Sequence, residues 1–258
     1  MEHKSIYTPD VIARLELGWG PGWLSPGGLS DVSQLLAGIA IAGRSVLDIG
    51  TGTGGPALAL INRFGAWHVT GIDVEQSVLD RAKTLAQAEL LEKRMDFRHV
   101  APGPLPFPDD HFDVVFSKDA FVHIADKALL FAEMFRVLKP GGSCVFSDWC
   151  CSPPPYSEEM QQFFNNGMNF TMATLRENCS HLERAGFKNI SAKDRNAWFA
   201  VFAAQEVRTA TGAERARLVS AVGAEAADSL IAAARRRATI ADQGYLRPAH
   251  FRAAKPDG

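Results

Sequence analysis

Apolar positions along the chain follow two alternating rhythms. Short runs of apolar and β-branched residues recur at 46–49, 67–72, 96–100, 112–116, 143–147 and 187–192. Between them, at 57–60, 76–88, 127–138 and 174–185, apolar residues return at helical spacing. Near-continuous apolar runs suit strands buried on both faces. Strands alternating with helices imply right-handed crossovers and a mostly parallel, doubly wound α/β sheet. A last run at 246–254 reads as a seventh strand, antiparallel and at the sheet edge.

Punctuation supports these boundaries. Thr174 with Glu177 three residues on is a capping-box pattern opening a helix that Gly186 closes, and Lys139-Pro140-Gly141-Gly142 reads as a stop and turn. The proline-rich loop 101–106 cannot be regular structure. Ahead of the first strand, 12–17 and 29–42 read as helices around the Gly- and Trp-rich turns 18–23 and 24–28, so residues 1–44 form an N-terminal helical lid. Segment 150–173 breaks the rhythm with three prolines and an aromatic, amide-rich stretch, and reads as an inserted cap over a substrate pocket. Residues 195–243 are rich in Ala and Arg and read as a helical insertion. The whole, 1–258, reads as one domain: a cofactor-binding core over 45–149, the cap, and the second half of the core over 174–258.

The first strand runs straight into glycines at 50, 52, 54 and 55, and Pro56 then opens a helix. Strand, glycine turn and helix form a Rossmann-like nucleotide site, in which a ligand lies directly on main-chain atoms. Gly50, Gly52 and Gly55 also satisfy the dinucleotide pattern G-x-G-x-x-G. Asp48, two residues before the first glycine, bears on the choice. At the carboxyl end of the strand it is expected to face the ligand, where it repels a pyrophosphate and suits a cationic amino group, which favours S-adenosyl-L-methionine over NAD. Asp73 ends the second strand about twenty residues past the loop, where a carboxylate accepts from both ribose hydroxyls in either class of site. The ends of alternating strands share one edge, so 101–106 and 117–123 converge there with Asp48 and Asp73.

Composition narrows the class. Of 258 residues, 47% are apolar, ample for a core, and the formal charge of −2 with no basic stripe argues against a nucleic-acid partner. No apolar run approaches membrane-spanning length and the first residues lack signal-peptide character, so a cytoplasmic location is expected, as monomer or homodimer. The four cysteines lack zinc spacing, no metal site is expected, and reduced core thiols are.

On these residues the chain resembles the class I S-adenosylmethionine-dependent methyltransferases, and within them the phosphoethanolamine and sarcosine/dimethylglycine N-methyltransferase group. The resemblance rests on Ile6-Tyr7-Thr8, Leu24-Ser25-Pro26-Gly27-Gly28, Val46-Leu47-Asp48-Ile49-Gly50, Gly71-Ile72-Asp73, the segment from Ser117 to His123, and Phe251 to Lys255. It implies S-adenosyl-L-methionine as cofactor, and a small-molecule methyl acceptor as partner. It also implies Tyr7 and His123 as a pair that latches the lid and acts on the substrate amine, with Asp119 beside them. Implied cofactor contacts are Ser25, Gly50, Asp73, Val74 and Lys118, with Thr51 and Gly52 in the same loop. Chemistry agrees with a histidine: methyl transfer to nitrogen needs a neutral amine, and imidazole titrates in the right range to take its proton.

The chain departs from the group in three places. Ala101-Pro102 stands where an acid usually accepts from the adenine amino group. Trp149, Met168 and Phe170 stand where phosphobase enzymes place phosphate-binding donors. The cap, with Asn165 beside these residues, suits a less anionic substrate. Expected is an S-adenosylmethionine-dependent methyltransferase of a small molecule, acting on an amine nitrogen. Oxygen or sulfur acceptors, an NAD-dependent oxidoreductase and a non-catalytic adenosylmethionine-binding protein are the alternatives.

Overall fold

A computed structural model describes residues 6–165 and 168–257. Residues 1–5 of the expected lid, 166 and 167 of the expected cap, and 258 lie outside the described residues.

The alternation predicted from the apolar rhythm is what the chain adopts. Helices α1 (Pro9–Trp19) and α2 (Gly28–Leu35) precede β1 (Ser45–Ile49), α3 (Gly55–Asn62), β2 (His68–Asp73), α4 (Gln76–Ala88), β3 (Met95–His99) and β4 (Phe112–Lys118). A short 3-10 turn, Phe121–His123, then leads to α5 (Lys127–Val137) and β5 (Leu138–Cys151). The cap helix α6 (Glu158–Phe164), α7 (Leu175–Ala185) and β6 (Lys188–Asp194) follow. Three helices, α8 (Asn196–Thr211), α9 (Arg215–Val222) and α10 (Ala224–Asp242), lead to β7 (Leu246–Ala254). The seven strands form one sheet in the order β3-β2-β1-β4-β5-β7-β6, in which β7 is antiparallel to both neighbours.

Three expectations need correction. The last strand is not at the edge. It lies between β5, with which it pairs from Ser143↔Ala254 to Cys151↔Leu246, and β6, which takes the edge. The reason is in the side chains: β7 is buried along most of its length, whereas β6 is largely exposed and carries Lys188, Asn189, Ser191, Lys193 and Asp194, the polar dress of an edge strand. Helix α2 is shorter than the 29–42 pattern because Gly38, at φ 81°, turns the chain out of the helix just after Leu36. Finally, α5 does stop at Val137, ahead of 139–142, but those residues are no separate turn: β5 runs through them as an irregularity, shifting from Phe112↔Leu138 to Val114↔Ser143.

Successive residues of β1 feed opposite layers. Val46 packs with Val32, Leu35, Leu60 and Leu79 beneath α2, α3 and α4, while Leu47 and Ile49 pack with Phe121, Phe131, Met134 and Phe146 beneath α5. A third cluster joins Trp149, Met160 and Phe163 of the cap side to Phe199, Ile240 and Leu246. Thr174 forms both halves of the capping box with Glu177, fixing the return from cap to core. All strand ends that matter for chemistry therefore sit at one rim, under the lid.

Candidate active site

At that rim lies a cavity of about 580 Å³, well within the usual range for a small-molecule site. Its floor is the glycine turn. Gly50 and Thr51 donate their N–H groups to Ile72 O at 2.8 and 3.0 Å, tying the turn to β2. Gly50 has φ 70°, and a Cβ there would stand 2.2 Å from Ala120 Cβ, so only glycine fits both the conformation and the space. Gly55 is pressed as closely by the lid: its N–H donates to Gly22 O at 2.9 Å, and a Cβ would meet that oxygen at 2.3 Å.

Asp73 projects from the end of β2 into the cavity wall and accepts the N–H groups of Gly52 and Glu75, each at 3.0 Å. Burial pushes its pKa up to about 6 against the pull of those N–H groups. Ser25, Thr51, Val74, Ala101, Pro102 and Lys118 also line the cavity, as expected from the sequence. Beyond Ala101 the wall is an apolar slot of Leu105, Ile124, Leu129 and Leu130, with Asp126 and Glu133 also in the lining.

The other end of the cavity is built by the segment before α1 and the turn after β4. Tyr7 Oη lies 3.3 Å from His123 Nε2, across a sequence gap of 116 residues, and His123 Nδ1 lies 3.0 Å from Met168 O. That carbonyl can only accept, so Nδ1 carries the proton and Nε2 is left as acceptor for the Tyr7 hydroxyl. Burial raises the Tyr7 pKa far above the phenol range, reinforced by Asp73 and Glu75, so its proton stays in place. Burial also lowers the His123 pKa, keeping the imidazole neutral. The 3-10 turn carrying His123 is held from two sides: Val122 N–H donates to Asp148 at 2.8 Å, and Lys127 Nζ donates to Phe121 O at 2.7 Å and Ile124 O at 3.1 Å.

Asp119 lines the cavity beside His123 but is engaged elsewhere. Lys118 Nζ donates to one carboxylate oxygen at 2.7 Å and Ser147 Oγ to the other at 2.6 Å. Its backbone sits at φ 56°, held there by N–H donation to Ser147 O at 2.9 Å. The imidazole is thus oriented by Met168 and Tyr7, and Asp119 contributes charge to the wall rather than a bond to the ring.

The structure overturns the placement of five residues. Asp48 does not line the cavity. It is buried beneath the glycine turn, where it accepts from Thr51 Oγ1 at 2.7 Å and leaves its other oxygen without a partner. Burial pushes its pKa up to about 7. Trp149, Asn165, Met168 and Phe170 are not among the described residues lining the cavity. Trp149, Phe163 and Phe170 pack on one another with ring centroids 5.2–6.2 Å apart, and Phe170 backs His123 at 5.3 Å. These rings are a wall behind the histidine.

Ser147 and Asp148 were not singled out from the sequence, although both interrupt an otherwise apolar strand, which is the signal that marks them. Among the described residues no helix is long and apolar enough to cross a membrane.

Comparison with known proteins places this geometry. A family model described as a methyltransferase domain matches residues 47–146, the span from β1 to β5. Phosphoethanolamine N-methyltransferase 1 of Arabidopsis thaliana is 32% identical over 194 residues, which cover 75% of this chain and 39% of that protein. The phosphoethanolamine N-methyltransferase of Plasmodium falciparum is 28% identical over 192 residues, 73% of this chain and 70% of that one. The chain thus spans about two fifths of the length of the plant relatives it matches. A solved structure of Haemonchus contortus phosphoethanolamine N-methyltransferase 2 in complex with S-adenosyl-L-methionine superposes with a TM-score of 0.90 at 25% identity, covering 97% of this chain and 58% of that one. Residues 47–146 thus match a methyltransferase domain, and the chain has the fold of the S-adenosylmethionine-dependent methyltransferases to which it is similar.

Proposed function

We propose that this chain binds S-adenosyl-L-methionine in the cavity and methylates the nitrogen of a small-molecule amine. The observation that carries the proposal is one cavity walled at one end by the glycine turn and Asp73, and at the other by the Tyr7–His123 pair. The residues fit the cofactor. The turn offers main chain without side chains, Asp73 offers acceptors to a ribose, and the apolar slot after Ala101 takes a base by stacking. When bound, the cofactor supplies an electrophilic methyl group on a sulfonium.

The chain's own residues do the rest. The lid excludes water, and Tyr7 holds it to the rim through His123. An ammonium of lysine-like pKa near 10 has no free lone pair at neutral pH, so it must lose a proton before attack. His123 Nε2 is the acceptor for it once the Tyr7 hydroxyl turns aside and frees its lone pair: neutral, facing the cavity, and fixed as the correct tautomer by the Met168 carbonyl. The nitrogen lone pair then forms the new C–N bond as the C–S bond breaks, and the sulfur keeps that electron pair.

The wall favours a cationic amine over a phosphomonoester. Asp73, Glu75, Asp119, Asp126 and Glu133 line it, while Lys118 is the one lysine or arginine among the described lining residues and is already shared by Asp31 and Asp119. Such a wall offers no unengaged cation to a phosphate. Calorimetric titration with S-adenosylhomocysteine and, separately, NAD tests the cofactor. Transfer of labelled methyl to ethanolamine, phosphoethanolamine, phenols and thiols tests the acceptor. Binding of the homocysteine product with transfer to an amine is expected; no heat with it ends the proposal, and labelling of phenols or thiols alone moves the acceptor off nitrogen.

A further inference from the structure

Behind the cavity lies a buried charge cluster that the methyl-transfer geometry does not use directly. Asp31, on α2, accepts from Lys118 Nζ at 3.3 Å, and its other oxygen lies 3.1 Å from Arg195 Nη2 and 3.0 Å from His250 Nε2. Lys118 bridges onward to Asp119 at 2.7 Å and to Pro26 O at 3.0 Å in the lid turn. Arg195 donates to Gln34 Oε1 at 2.6 Å and lies over the Trp198 ring at 4.6 Å. Asp31, Lys118, Arg195 and His250 are each at most 7% exposed. These residues come from α2, the end of β4, the middle of β7, and the residue before α8, so the arrangement is assembled by the tertiary fold and by no local motif. Apart from His250, the two carboxylates Asp31 and Asp119 and the two cations Lys118 and Arg195 cancel. Only Lys118 and Asp119 reach the cavity; Asp31 and Arg195 act from behind it.

Burying an isolated charge is costly, so such clusters are built near neutrality. Here the balance also fixes the potential at the cavity wall, because removal of a single member leaves a full charge in low dielectric beside Lys118 and Asp119. We infer that Asp31 and Arg195 are positioning residues that set the charge of the cavity wall, and with it the preference of the site for the sulfonium donor over its uncharged-sulfur product. The inference rests on the cavity being the adenosylmethionine site proposed above. The two ligands differ by one methyl and one positive charge at sulfur, which makes their affinity ratio a meter of local potential. A unit charge about 10 Å away at an effective dielectric near 20 changes an affinity on the order of tenfold.

The test is calorimetric titration of wild type, Asp31→Asn, Arg195→Gln and the double variant with both ligands, after thermal melts establish folding. Asp31→Asn leaves the cluster one charge positive and is expected to weaken S-adenosylmethionine relative to S-adenosylhomocysteine on the order of tenfold. Arg195→Gln leaves it one charge negative and is expected to shift the ratio the other way. The double variant restores balance and returns the ratio toward wild type. A merely structural role weakens both ligands in parallel and leaves the ratio unmoved in each single variant, and that result overturns the inference. If Asp31→Asn does not fold, the sign of the Arg195→Gln shift and its reversal in the double variant carry the test. Wild type that binds neither ligand instead removes the adenosylmethionine reading, and this inference with it.

Discussion

The contact between Gly50 and Ala120 gives the sharpest quantitative test of the site. Gly50→Ala adds one methyl where the backbone holds φ 70° and where the new carbon would stand 2.2 Å from Ala120 Cβ. Ordinary carbon–carbon contact is about 3.5–4.0 Å, so the overlap exceeds an ångström, and the Cβ methyl, fixed to the backbone, has no rotamer by which to escape. The left-handed backbone costs about 1–2 kcal/mol for an alanine, and overpacking adds about 1–3 kcal/mol. The expected loss, ~2–5 kcal/mol, is a large part of the ~5–15 kcal/mol that holds a domain folded. Ala120→Gly on the same background removes the overlap and leaves the backbone term, at its own cost of about 0.5–1 kcal/mol. The double variant should therefore be more stable than the sum of the singles by about 1–3 kcal/mol, a positive coupling that urea unfolding measures when the m-values agree. Because both residues line the cavity, S-adenosylhomocysteine affinity should fall in Gly50→Ala and partly return in the double variant. Coupling within 0.5 kcal/mol of zero would mean that the two residues do not meet, and the description of the cavity floor would be wrong.

Four further outcomes are expected. His123→Ala should lower methyl transfer by about 10²–10⁴-fold, the usual worth of a general base, and Tyr7→Phe by less, with S-adenosylhomocysteine binding retained in both; full activity in both removes the pair from the mechanism. The rate in wild type should hold as pH falls to the ordinary histidine value and drop below it, because burial lowers the His123 pKa and the unfolded chain takes up that proton first, so stability is lost in the same direction. Asp48→Asn should be more stable than wild type at pH 8 by about 1–3 kcal/mol and near it at pH 4: burial raises the folded pKa to about 7, so wild type loses stability as pH rises from the ordinary carboxylate range through that value. Wild type proving the more stable at pH 8 would show that the buried carboxylate is compensated. A thiol reagent at pH 8 should leave Cys144 and Cys150 untouched in the native chain, since both are fully buried with raised pKa values, and label them only after denaturation.

What the sequence showed plainly was local. Val46 to Ile49 before a glycine turn, Thr174 with Glu177, and the apolar run of β7 each declare an element through a few neighbouring residues. Where a strand goes is a different matter. β7 is antiparallel whether it sits at the edge or one place inward, and only the polar face of β6, some sixty residues earlier by the chain count, decides which of the two takes the exposed position. The Tyr7–His123 pair was accessible through resemblance alone, since neither residue has a local pattern that points to the other.

Asp48 and the Asp31 cluster show why charge is legible in amount but not in direction. An acid in an apolar strand announces that something must compensate it, and that much follows from the sequence. For Asp48 the strand alternation already holds the answer: it shares a face with Val46, which packs under α3, so the side chain turns beneath the glycine loop rather than out from the strand tip. Its partner is then Thr51, three residues away, and not the ligand. Asp31 offers no such clue, because its partners lie 87, 164 and 219 residues along the chain. The two acids therefore act on the site by different routes. Asp48 stiffens the turn from below and is expected to show itself in stability, whereas Asp31 balances Lys118 and is expected to show itself in how the site weighs one positive charge on its ligand.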